Sequence, residues 1–272
     1  MFNMALFLLL LLSHILADFY FQTANNVKKK LNERSYIQTV FKHSLMNAVI
    51  CLCILLLAYW ENFFKTLFFP TVIFTILGTH FIIDFLKSKI IINYEKKENL
   101  NKLKSICFFF DQALHIIVIF IIALLPINSL DYSLYVKTFY HGCFVFPAIT
   151  LLKFLVSILF LLRPVSIIVN HYLYENKIKQ DITDILDDKV ENLNQGYPNG
   201  GKQIGYLERL IVFVLILSGN AAGIVFVLTA KSLVRYSEIQ KDISFAEYFL
   251  IGTLLSTLLA VVTAYCFIGI NF

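Results

Sequence analysis

Long apolar runs separated by short polar segments set the pattern of this chain. Runs rich in Leu, Ile, Val and Phe cover about 2–22, 39–60, 67–87, 106–126, 139–162, 208–230 and 245–270. Crossing ~30 Å of hydrocarbon takes ~20 such residues as a helix. Backbone polar groups in lipid have to be satisfied inside the segment, which favours helices. The pattern predicts an all-α, polytopic membrane helical bundle of about seven transmembrane helices. The first run carries His14 and Asp18, with no basic segment ahead of it and no small-residue cleavage site, so it reads as a retained span rather than a signal peptide.

Residues 1–126 read as a four-helix transmembrane unit and 127–163 as a fifth transmembrane helix; 164–206 read as a cytoplasmic amphipathic segment and loop, and 207–272 as a C-terminal transmembrane hairpin. In the polar stretch Ile178, Ile182, Ile185, Leu186 and Leu193 recur at helical spacing among Asp181, Asp184, Asp187 and Asp188. That is the pattern of a short helix lying on the membrane surface. Residues 195–201 read as a turn. The run 209–230 is long enough for one crossing and is read so, with Gly219, Asn220 and Gly223 marking where a re-entrant hairpin would turn instead.

Composition agrees with the pattern, since 58% hydrophobic residues, 15% charged residues and a mean hydropathy of +0.74 exclude an ordinary soluble domain. The net charge of +5 is a topology signal rather than a sign of nucleic-acid binding. Lys28, Lys29, Lys30 and Arg34 fall in one loop and Lys87, Lys89, Lys96, Lys97, Lys102 and Lys104 in the next but one, while the opposing loops hold only Lys65 and Lys137. The positive-inside rule then puts the N-terminus outside and both basic loops in the cytoplasm of a bacterial inner membrane. Cys51, Cys53, Cys107, Cys143 and Cys266 all lie in predicted spans and suggest neither a disulfide framework nor a thiolate metal site.

Candidate chemistry lies inside the spans, where each ionisable residue costs ~2.5–3.5 kcal/mol at a helix centre. The first span holds His14 and Asp18, the third His80 and Asp84, the fourth Asp111 and His115, and the second His43 with Asn47. Residues four apart share one helix face. Spans one and three run inward and two and four outward, so all four pairs fall near the cytoplasmic end. At ~1.5 Å per residue, Asp18, Asp84, Asp111 and His43 lie roughly 6–9 Å deep and His14, His80, His115 and Asn47 roughly 12–15 Å deep. The reversed order in the fourth span, Asp before His, is what an antiparallel helix needs to match. Imidazole with carboxylate favours zinc, manganese or iron, zinc first, as one or two ions. Asn47, Gln112, Gln22, Ser44, Lys87 and Lys153, with Ser13 and Thr79, are candidates to orient the ligands. Polar groups in membrane bundles also serve simply to hydrogen-bond helices together.

The motifs Ser13-His14-Ile15-Leu16-Ala17-Asp18-Phe19 with Gln22, His43, His80 to Lys87, and Asp111-Gln112-Ala113-Leu114-His115 resemble an uncharacterised bacterial membrane family, domain of unknown function 3307. The similarity covers roughly the first 125 residues and implies no particular activity. A weaker similarity, through His43-Ser44 and the His80 to Asp84 helix, is to membrane-bound metal-dependent hydrolases.

The expected function is a membrane-embedded metal-dependent hydrolase of a lipid or lipid-linked substrate at the cytoplasmic leaflet, with Asp18, Asp84 or Asp111 as general base. The alternatives are a divalent metal-ion or proton-coupled transporter and a structural or partner-binding membrane protein. The expected partners are the lipid bilayer and that substrate, with self-association into a homo-oligomer left open and no nucleic acid.

Overall fold

The computed structural model describes residues 2–64, 66–94, 100–125, 138–141, 144–175 and 200–268. Among the described residues, six helices are long and apolar enough to cross a membrane: Met4–Phe21, Tyr36–Trp60, Phe68–Asn93, Leu100–Leu124, Ala148–Leu173 and Ile243–Cys266. The chain is a helical bundle of the polytopic membrane type and divides into two compact units, Met1–Val156 and Ser157–Phe272.

In the first unit, α1 (Met4–Ile15) starts where Asn3 accepts a hydrogen bond from the Leu6 amide at 2.9 Å. It widens into a π-helical stretch, Leu16–Phe21, that carries Asp18. A π turn accommodates an extra residue and re-aims the side chains on it, and such turns recur at functional sites. Thr23 caps α2 (Ala24–Lys30), whose last turn is three lysines that complement the negative end of the helix dipole. α3 (Tyr36–Phe63), α4 (Phe68–Asn93) and α5 (Leu100–Leu124) complete the four long helices.

One apolar core joins the start of α1 (Leu6, Leu9, Leu10), the end of α3 (Leu55, Tyr59, Phe63), the start of α4 (Phe69, Val72, Ile76) and the end of α5 (Ile119, Ile122). Starts meeting ends define an up-down-up-down bundle whose other end gathers the polar pairs. α4 runs on past Asp84 to Asn93, so Lys87 and Lys89 lie on a helix rather than in the expected loop.

The fifth span was expected from residue 139. Instead Thr138–His141 and Phe144–Pro147 pair as an antiparallel hairpin, β1 and β2, and α6 (Ala148–Glu175) begins after Pro147. Aromatic and β-branched residues such as Tyr140, Val145 and Phe146 suit strands.

The single sixth crossing at 208–230 is not found. α7 (Gly200–Leu217) stops at Gly219, with φ 72°, a left-handed conformation cheap only for glycine, and α8 (Ala222–Val234) turns back beside it. Asn220 closes the turn by accepting from the Gly223 amide at 3.2 Å. Lys231 on α8 then reaches Glu208 on α7 at 2.6 Å, as an antiparallel helical hairpin requires. α9 (Tyr236–Lys241) leads into α10 (Ile243–Thr263), where Asp242 caps the first turn, and a π stretch, Ala264–Ile268, ends the described chain. The expected amphipathic helix around 178–193 and most of the 195–201 turn lie outside the described residues.

Pro164 sits inside α6, where its ring removes an amide donor and crowds the preceding carbonyls. The buried Arg209 bonds carbonyls of the turn before Pro164. Its Nε donates to the Leu161 carbonyl at 2.7 Å, and its Nη2 to the Leu162 carbonyl at 3.3 Å and Ser166 Oγ at 2.6 Å. Nη1 donates to Ser256 Oγ at 3.2 Å. Around this polar joint pack Val165, Val212, Phe213, Ile216 and Ala260.

Candidate metal centre

All seven sequence-predicted ligands meet at the polar end of the four-helix bundle. His14, His43, His80, Asp84, Asp111 and His115 are buried, with His80 at 1% exposure, and the Asp18 side chain is 8% exposed. The imidazoles touch one another: His80 and His115 have centroids 4.3 Å apart, His14 stacks on His115 at 4.8 Å, and His43 lies 5.0 Å from His80.

The two predicted layers correspond to two sets of contacts. On the carboxylate side, His43 Nε2 is 3.0 Å from Asp18 Oδ1 and 3.7 Å from Asp84 Oδ2. His80 Nε2 faces the same oxygens at 3.5 and 3.8 Å. On the imidazole side, a cavity of about 10 Å³ for a water centre is lined by His14, Asn47, His80 and His115, with Ser13 and Thr79 beside them. That volume is close to the minimum for one water, or for a bare ion.

Several hydrogen bonds fix which ring nitrogen points inward. His115 Nδ1 donates to the Asp111 carbonyl at 2.7 Å, which leaves Nε2 as the bare, ligand-capable nitrogen, and Nε2 has no hydrogen-bond partner. His80 Nδ1 is 3.2 Å from the Asn47 amide, and its Nε2 is likewise without a hydrogen-bond partner. His14 Nε2 bonds Gln112 Oε1 at 3.2 Å while Nδ1 has none. Gln112 also donates to Asp18 Oδ2 at 3.3 Å and to Asp111 Oδ2 at 3.0 Å, so one amide ties α5 to α1 and to the π stretch and braces Asp111 on its own helix.

Three groups have ligand atoms within 4.8 Å of one another: His14, His80 and His115; Asp18, His43 and His80; and Asp84, Asp111 and His115. The last two share no residue, so together they offer two three-ligand sites. The first is an alternative all-imidazole site. Three protein ligands with a position left open is the pattern of catalytic rather than structural zinc.

Of the predicted orienting residues, Asn47, Gln112 and Lys87 touch the cluster, Lys87 through Asp111 Oδ2 at 2.7 Å. Ser44 does not, because its hydroxyl donates to the Val40 carbonyl of its own helix; Ser13 and Thr79 line the cavity but likewise bond their own helices. Gln22 ends the π stretch and makes no hydrogen bond to the cluster among the described residues, and Lys153 is half-buried on α6. The sequence reading missed Lys30, which is buried with its Nζ 2.5 Å from Asp84 Oδ2.

Residues 6–139, which include every member of this cluster, match the model of a family described as Protein of unknown function (DUF3307). No curated protein and no solved structure matches the chain. The chain carries a domain of this family, and the chemistry of that domain has to be argued from its own side chains.

Proposed function

We propose that the four-helix unit is a membrane-embedded, zinc-dependent hydrolase acting on a lipid or lipid-linked substrate at one face of the bilayer. Two ions would be held by Asp18, His43 and His80 and by Asp84, Asp111 and His115. Zinc there supplies Lewis acidity and a water acidic enough to act near neutral pH. Asp111 keeps Oδ1 free of hydrogen bonds, so that oxygen is available to an ion.

The observation that carries this reading is that His14 Nδ1, His80 Nε2, His115 Nε2 and Asp111 Oδ1 are buried and make no hydrogen bond. Polar groups that only glue helices would bond each other, since an unsatisfied buried group costs ~1–3 kcal/mol. Here His14, His80 and His115 line one small cavity, and Asp111 groups with Asp84 and His115, an arrangement that cations would complete.

The transporter reading needs a polar route beyond the imidazoles. Leu6, Leu10, Leu55, Phe69 and Ile76 fill that direction with packed apolar side chains, which favours catalysis at one end of the bundle. The test is incubation of the zinc-loaded chain in vesicles of mixed bacterial lipids, with products followed by mass spectrometry. The expected result is a lipid product that appears only with metal and is lost in Asp111→Asn. Zinc uptake into the vesicles with no lipid product would reverse the choice.

A further inference from the structure

Lys30 and Lys87 close the carboxylate side of the cluster from two directions. Lys30 arrives from α2, its side chain 10% exposed, and Lys87 from α4, 27% exposed. With the imidazoles neutral, Asp18, Asp84 and Asp111 carry three negative charges and the two ammonium groups offset two of them. The lysines therefore hold the place of cations on two of the carboxylates that metal ions would share, those of Asp84 and Asp111.

Two divalent ions add four positive charges, so the loaded cluster would stand near plus three. A buried site does not keep such an excess without an anion. Neither lysine can move far, because one ends a helix packed against α3 and the other lies within α4, but a four-carbon stem lets Nζ swing from carboxylate to ligand. A phosphate monoester, with a charge of about −1.5 to −2, offsets more of this excess than a carboxylate can, and it offers three acceptor oxygens to the freed ammonium groups.

An apolar groove of about 370 Å³ is formed by the end of the π stretch and α3, lined by Phe21, Leu45, Met46, Val49 and Ile50 with Lys42 among them. Phe21 ends the π stretch that carries Asp18, and Lys42 and Met46 directly precede His43 and Asn47 in the chain. Room for a hydrocarbon chain and a further cation thus lies on the same two elements, the π stretch and α3, that carry Asp18 and His43.

Resting on the two-ion reading above, we infer that Lys30 and Lys87 form an anion subsite that engages when metal displaces them. The class of substrate it selects is a lipid with a phosphorylated headgroup, whose hydrocarbon chain lies in the groove along α3.

The test uses the full chain in nanodiscs of neutral phosphatidylcholine, with zinc content and retention of radiolabelled inorganic phosphate measured together and phosphatidic acid as competitor. Zinc-loaded wild type should bind phosphate at least about tenfold more tightly than chelator-treated protein. Lys30→Met and Lys87→Met should each lose about tenfold of that affinity while holding as much zinc or more, and Lys30→Arg should retain it. Phosphatidic acid should displace the label at lower concentration than free phosphate does. Phosphate binding that ignores zinc, or that survives in both Met variants, overturns the subsite and leaves the metal reading standing. Phosphatidic acid no better than free phosphate overturns the lipid source. A wild-type chain that takes up no zinc overturns both.

Discussion

Lys30 Nζ lies 2.5 Å from Asp84 Oδ2, joining residues 54 apart in sequence across the polar end of the bundle. Both are buried, so each is the other's means of tolerating low dielectric. Lys28 and Lys29, on the same helix, stay exposed.

In metal-free protein, Asp84→Asn should therefore destabilise the four-helix unit by about 3–5 kcal/mol, because it strands the Lys30 ammonium. Lys30→Met in the same background should return much of the loss. A double-mutant cycle by denaturant titration in detergent checks this, and additive single effects would show that the pair is not coupled.

Gln112 bonds His14, Asp18 and Asp111 together. Gln112→Ala should weaken zinc binding by roughly 10–100-fold through misoriented ligands while the helices persist. Competition with a zinc-chelating dye reads the affinity, and circular dichroism reads the fold.

Arg209→Met should destabilise the Ser157–Phe272 unit, since the Leu161 and Leu162 carbonyls beside Pro164 lose their donor. The expected cost is about 2–3 kcal/mol, from hydrogen bonds to a charged group. Pro164→Ala should offset part of it by restoring an amide donor to the helix. Thermal unfolding of the single and double variants compares the two effects.

Gly219→Val should loosen the α7–α8 turn by about 1–2 kcal/mol, because φ 72° is unfavourable for a β-branched residue, whereas Gly219→Asn should be milder. Protease sensitivity at the turn is the direct readout.

Much of the site was legible because two regularities coincided. His14 with Asp18, His80 with Asp84 and Asp111 with His115 are one helical turn apart, and alternating helix direction brings unlike orders to the same level. No local signal sets Lys30 apart from Lys28 and Lys29: three consecutive lysines read as a solvated loop, and only the folding back of α2 buries one of them. Ser44 looked able to orient His43, but a hydroxyl within a helix finds its own i−4 carbonyl, here Val40, before any neighbour. The break at Gly219 was visible in composition, yet apolar length outweighed it, because hydropathy measures how much chain could cross and not where the backbone turns. The π stretch at Leu16–Phe21 leaves no mark in the apolar pattern.

The most direct test of the metal centre is the zinc content of the full chain, purified in detergent with zinc supplied, by inductively coupled plasma mass spectrometry. The account predicts about two zinc per chain, from the two triads that share no residue, with clear losses in His80→Ala and His115→Ala that keep their helical content. Wild-type protein free of metal, or both variants retaining full zinc, would contradict it.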